Sequence, residues 1–76
     1  MKRIVIMGTS ECPACKIAKA AYPDAEYVLC EDDWERANKY NVMAAPTIVL
    51  LEDEEPVDSW VGFSSDVKEK IDSRLG

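Results

Sequence analysis

Two cysteines, Cys12 and Cys15, stand three positions apart in a Cys-Pro-Ala-Cys run. That spacing suits dithiol chemistry: two thiols near enough to form a disulfide with each other and to exchange it with another. The nucleophile in such exchange is the thiolate, and a free cysteine with a pKa of about 8.5 is mostly protonated at neutral pH, so a working site must stabilise the anion. A helix N-terminus does this through its unpaired N–H groups and its dipole. Pro13 suits a first helical turn, and small Ala14 leaves the sulfurs accessible. Cys12 then falls at or just before that turn as the attacking sulfur. Cys15, one turn later, is placed to resolve a mixed disulfide formed at Cys12.

The same residues could bind metal. Four-thiolate zinc sites need two such pairs, whereas this chain has one pair, a lone Cys30 and no histidine, which leaves a site within one chain short of a fourth ligand. No metal is therefore expected, and the redox-active Cys12–Cys15 disulfide needs no cofactor. A metal or iron–sulfur cluster held by Cys12 and Cys15 at a dimer interface is the alternative from another class. Cys30 reads as a small buried hydrophobe, with a regulatory thiol as the sharper alternative.

The elements that must position the pair follow from periodicity. Residues 3 to 7 form a short β-branched run ended by Gly8, Thr9 and Ser10, which predicts a buried strand and a loop. Ala14, Ile17, Ala18 and Ala21 recur on one helical face, so a helix runs to about Tyr22, before Pro23. Residues 26 to 30 form a second strand, parallel to the first through a right-handed crossover. Asp32 with Glu35 matches a capping box for a second helix with Trp34, Ala37 and Tyr40 on its apolar face. Residues 47 to 51 are the most hydrophobic run and predict a central strand. Val57 to Val61 form a further strand, joined by a Glu52 to Pro56 hairpin connection and broken by Gly62. A last helix begins near Ser64 to Asp66 and carries Val67, Ile71 and Leu75. The order β-α-β-α-β-β-α predicts an α/β fold with a four-stranded mixed sheet and helices on both faces.

At 76 residues the chain is expected to form a single domain, 1–76, acting as a monomer. A net charge of −6 disfavours phosphate backbones and anionic lipid headgroups, so neither nucleic acid nor membrane is an expected partner, whereas a basic client surface is attracted. The acids cluster at Glu31 to Glu35 and Glu52 to Glu55, read as solvated loops or helix starts. Few, odd-numbered cysteines and a basic start without a long apolar stretch predict a reducing, cytoplasmic setting.

A second stretch, Lys39-Tyr40-Asn41-Val42-Met43-Ala44-Ala45-Pro46-Thr47, together with Cys-Pro-Ala-Cys-Lys at a helix start, resembles the thioredoxin superfamily over nearly the whole chain. The resemblance implies a thiol–disulfide oxidoreductase that reduces disulfide-containing client proteins and is recharged by a thioredoxin reductase or by glutathione. It implies a cis Ala45–Pro46 bond beside the dithiol, which costs little before proline, with Ala45 and Thr47 near a bound client. Gly62, Phe63 and Asp66 are the further residues it places near client or glutathione.

Short length and element order resemble a glutaredoxin or a ribonucleotide-reductase redoxin. The Gly62-Phe63 and Asp66 arrangement leans to the second, an electron donor to ribonucleotide reductase, and the glutathione-dependent glutaredoxin is the alternative. Two departures matter. Ile6 stands where thioredoxins carry a buried Asp, so no proton-transfer carboxylate carries over. Glu11 stands where they carry Trp, and its charge beside Cys12 disfavours both the thiolate and anionic glutathione. Lys16 and Lys19 are candidates to offset it, and Thr9 and Ser10 are candidate donors to a thiolate.

Overall fold

Seven elements follow one another in the computed structural model, which describes residues 1–76: β1 (Lys2–Gly8), α1 (Pro13–Ala21), β2 (Glu26–Leu29), α2 (Trp34–Lys39), β3 (Thr47–Glu52), β4 (Glu55–Val61) and α3 (Ser65–Leu75). The order is the one periodicity predicts. The strands form one mixed sheet in the order β2-β1-β3-β4, with β1 parallel to β2 and antiparallel to β3, and β3 antiparallel to β4. Ile4 to Gly8 and Thr47 to Leu51 are buried without a break, because these central strands are covered on both faces.

Period-2 alternation divides the core between those faces. Val5, Met7, Val28, Val49 and Leu51 meet Ala37 and Tyr40 of the α2 segment on one side. On the other, Ile4, Ile6, Ile48 and Leu50 meet Ala18 of α1 and Ile71 of α3. No helix is long and apolar enough to cross a membrane.

Four local readings are corrected. The buried face of α1 is Cys15 and Ala18, and Ile17 points outward with 61% exposure, because a helix starting at Pro13 turns the second cysteine to the sheet. Asp33, not Asp32, caps α2, accepting from Arg36 N at 3.1 Å. Trp34 is exposed rather than on the buried face of that helix. Finally, β4 begins at Glu55, so the hairpin turn is only Asp53-Glu54, both in the left-handed region at φ 52° and 70°. Such a two-residue turn is usually built from Asn or Gly. Here ion pairs hold it: Asp53 Oδ1 accepts from the Met1 amine at 2.6 Å, and Glu54 accepts from Arg3 Nε and Nη2 at 3.0 and 2.6 Å. Pro56 is tolerated because β4 is an edge strand and its register slips between Leu50 and Leu51.

Arg3 also reaches Glu26, at 2.8 Å, and Glu26 accepts from Arg36 as well. One carboxylate thus joins β1, β2 and α2. Hydrogen bonds from Arg36 and then Arg3 hold its pKa down to about 2, from an ordinary 4.5. A depressed carboxylate contributes stability above its unfolded pKa and loses it as pH falls through the folded one. Because Glu26 is 40% exposed, screening limits that contribution to about 1 kcal/mol or less. Glu26→Gln should lower Tm by about 5 °C or less at neutral pH. The gap to wild type should close between about pH 4.5 and pH 2 in thermal melts across that range.

Candidate active site

The ends of β1 and β2 and the start of β3 share one edge of the molecule, since Gly8 pairs with Leu29 and Met7 with Thr47. The dithiol loop leaves β1 there, and the loop before β3 arrives there. Cys12 is the N-cap of α1, with extended backbone (φ −138°, ψ 100°), and Pro13 opens the helix. Its Sγ accepts from Cys15 N at 3.2 Å, so the helix start provides the N–H donation that a thiolate needs.

Cys12 and Cys15 are joined as a disulfide, their Cα atoms 5.2 Å apart. Their exposure differs. Cys12 is partly exposed, whereas Cys15 is 0% exposed. An incoming sulfur can therefore reach only the outer member.

The facing loop is held from both sides. The Ala45–Pro46 bond is cis, as the resemblance implies. Thr47 is buried, and its Oγ1 donates to Ala44 O at 2.6 Å, so its hydroxyl braces the loop from within. Gly62 N donates to Pro46 O at 2.7 Å, and Gly62 has φ +81°. That conformation favours glycine, and a Cβ here would meet nothing within 4 Å. Gly62 thus lies at the open side of the proline loop.

Beside this loop runs an apolar groove of about 180 Å³, lined by Thr9, Cys30, Trp34, Met43, Ala44 and Ala45 among others. Trp34 is 64% exposed and Met43 87%, so its walls are large apolar side chains in water. Glu31 to Asp33 lie between Cys30 and Trp34 in the chain, and Glu31 and Asp32 are exposed. An acidic rim therefore borders the groove, and Glu11 adds an exposed carboxylate next to Cys12.

The other residues singled out by sequence are placed as follows. Ser10 donates from its N–H to Glu31 Oε1 at 2.9 Å and from its Oγ to Oε2 at 3.3 Å, which braces the dithiol loop and leaves the sulfurs to the helix N–H. Lys19 is committed to Pro23 O and Ala25 O, both at 2.8 Å, so it does not offset Glu11; Lys16 stays exposed. Phe63 packs edge-on against Tyr22, ring centres 6.1 Å apart, and joins the α1/α3 side of the core. Asp66 borders a polar depression with Asp58, Trp60, Glu69, Lys70 and Arg74, a set that contains neither cysteine nor the proline loop. Cys30 is a free, buried thiol on the α2 side of the sheet, its pKa pushed up by burial. No three His, Cys, Asp or Glu side chains are grouped to hold a metal ion.

Two residues near the dithiol escaped the sequence reading. Gly8 is not a turn residue but the last, buried residue of β1. A Cβ there would lie 2.7 Å from Tyr27 Oη and 2.8 Å from Cys15 Sγ, so the missing side chain makes room for both. Tyr27, a strand residue by pattern, brings its hydroxyl to the same space that the inner sulfur borders. Only the β1–β2 register reveals this.

Several solved structures share this architecture. The oxidised thioredoxin of Plasmodium falciparum matches with a TM-score of 0.84 at 21% identity, over 99% of this chain and 82% of that one. A reduced thioredoxin pre-protein of Schistosoma mansoni matches at 0.74 and 27%, over 95% and 77%. Mitochondrial thioredoxin 3 of Saccharomyces cerevisiae, oxidised, matches at 0.68 and 26%, over 91% and 74%. No protein-family model and no curated protein sequence matches the chain. The chain has the thioredoxin fold. Its Cys12–Cys15 pair fits a redoxin of the thioredoxin superfamily.

The space at Gly8 gives a direct test. Gly8→Ala drives a methyl group against a sulfur tethered by the disulfide, and overpacking of this kind costs about 1–3 kcal/mol. Denaturant unfolding of the oxidised protein should show that loss as a lower midpoint. An unchanged midpoint would mean that Tyr27 and Cys15 move aside freely.

Proposed function

We propose that this chain is a thiol–disulfide oxidoreductase that reduces disulfides in client proteins, with Cys12 as nucleophile and Cys15 as resolving cysteine. The observation that carries this reading is the asymmetry of the pair: a reachable sulfur at a helix N-cap, bonded to a buried one. In the reduced form the Cys12 thiolate attacks one client sulfur, and the other leaves as a thiolate. Cys15 then attacks Cys12 Sγ, the Cys12–client bond breaks, and the second client thiolate departs with the last of two electrons. The electrons reside in the dithiol itself, so no cofactor takes part, and the chain acts as a monomer.

The groove supports a client segment lying against Ala45, with an apolar side chain between Trp34 and Met43. The acidic rim favours clients with basic flanks. For recharging, the cysteines need an external thiol donor. Glu11 beside Cys12 supports a reductase over anionic glutathione, and within this reading ribonucleotide reductase is a candidate client. The positions of Phe63 and Asp66, against Tyr22 and in a separate depression, add nothing to that choice.

Cys12→Ser should reduce turnover of a protein disulfide to background, whereas Cys15→Ser should accumulate a mixed disulfide with client, visible as a mass adduct that dithiothreitol removes. Failure of Cys15→Ser to form any adduct would sink the exchange mechanism. Comparing reduction by NADPH with thioredoxin reductase and by glutathione with glutathione reductase identifies the donor; faster turnover with the first is expected. Trp34→Ala should raise KM for a protein client about five- to tenfold while leaving kcat for a small aromatic disulfide unchanged.

A further inference from the structure

This inference rests on the exchange mechanism above. In that mechanism Cys15 must be a thiolate when it attacks Cys12, although its sulfur is 0% exposed and packed below the helix start. A buried thiolate without a hydrogen-bond donor is costly. No carboxyl group is available from β1, where Ile6 is buried on the same side of the sheet. From β3 that side presents Ile48 and Leu50, also apolar.

Tyr27 differs. It stands opposite Ile6 in the parallel β1–β2 pair, and its ring packs against the α1/α3 side of the core. Its hydroxyl and Cys15 Sγ lie 2.7 and 2.8 Å from one and the same point, the space beside Gly8. The hydroxyl donates to Thr9 O at 3.4 Å, long for an O–H···O bond, so its proton is only weakly engaged in the oxidised protein.

We propose that the Tyr27 hydroxyl is the hydrogen-bond donor to the Cys15 thiolate, a positioning residue that holds the resolving sulfur as an anion in the space Gly8 keeps open. Burial above all, with the Glu31 carboxylate adding to it, raises the pKa of Tyr27, so it remains a phenol and donates a hydrogen bond without giving up its proton. The Cys15 proton passes to solvent base before attack. Cys15 Sγ then bonds to Cys12 Sγ, the bond from Cys12 to the client sulfur breaks, and the client thiolate is protonated by water. Cys12 on α1 and Cys30 and Glu31 beyond β2 are the titratable groups around the pair, while Glu11 and Lys16 flank the helix start from exposed positions.

The test compares reduced wild type with Tyr27→Phe, which keeps the ring and removes the donor. Carbon-13 shifts of the Cys15 Cβ, followed against pH, should place its titration midpoint about one pH unit or more higher in the variant. The rate at which a Cys12 mixed disulfide with thionitrobenzoate resolves should fall about tenfold at neutral pH, with its pH profile displaced by the same amount. Gly8→Ala, which fills the shared space, should raise the midpoint in the same direction, and it serves if Tyr27→Phe is poorly folded. An unchanged midpoint and an unshifted profile would show Tyr27 to be a packing residue only. If wild type resolves no mixed disulfide at any pH, the exchange mechanism itself fails, while the Cys15 titration still reports whether the hydroxyl binds the thiolate.

Discussion

The pairing of β1 with β3 is the constraint on which everything else depends. It sets Met7 opposite Thr47, so the loop that carries Cys12 and the loop that carries Pro46 leave the sheet side by side, although more than thirty residues of chain separate them. A slip of one residue would exchange the two faces of β3 and turn Ile48 and Leu50 toward α2. Continuous burial on both strands makes such a slip expensive, since each face has a full apolar layer to lose. Precise placement of the site is thus inherited from the most hydrophobic part of the chain.

Rigid strands alone would leave the loops loose, and here short polar contacts finish the task. Ser10 is tied to Glu31 across the ends of β1 and β2, Thr47 to Ala44, and Gly62 to Pro46. Each is a single hydrogen bond or a pair, worth about 1 kcal/mol. Their effect is local: they hold the rim around Cys12 without stiffening the exposed Trp34 and Met43 walls. A scaffold fixed at its base and adaptable at its lip suits recognition of varied segments around a common disulfide.

Much of this was legible in sequence. The element order, the two central strands and the helix start at Pro13 follow from apolar runs and punctuation, because those signals are local and strong. The dithiol was legible for the same reason. What stayed hidden depends on pairs distant in sequence. Glu31 looked like one of several solvated acids, yet it anchors Ser10, and Gly8 looked like a turn residue, yet its absent side chain accommodates Tyr27 and Cys15. The Asp53-Glu54 turn misled because Glu, unlike Asp, rarely adopts positive φ; Arg3 and the Met1 amine supply what local propensity lacks. Ile17 misled because several small apolar residues gave α1 more than one plausible inner face.

The placement of Cys30 has a further meaning. It lies on the α2 side of the sheet, whereas Cys15 is carried by α1, which packs on the other, with the strands between them. Burial also keeps its sulfur protonated. A chain with three thiols could form three different intramolecular disulfides, two of them unproductive. Here the sheet separates Cys30 from Cys15, and burial disfavours the Cys30 thiolate that would have to attack. The fold therefore favours one pairing by placement: Cys15 sits one helical turn from Cys12, while Cys30 is held apart from Cys15 on the opposite face of the sheet.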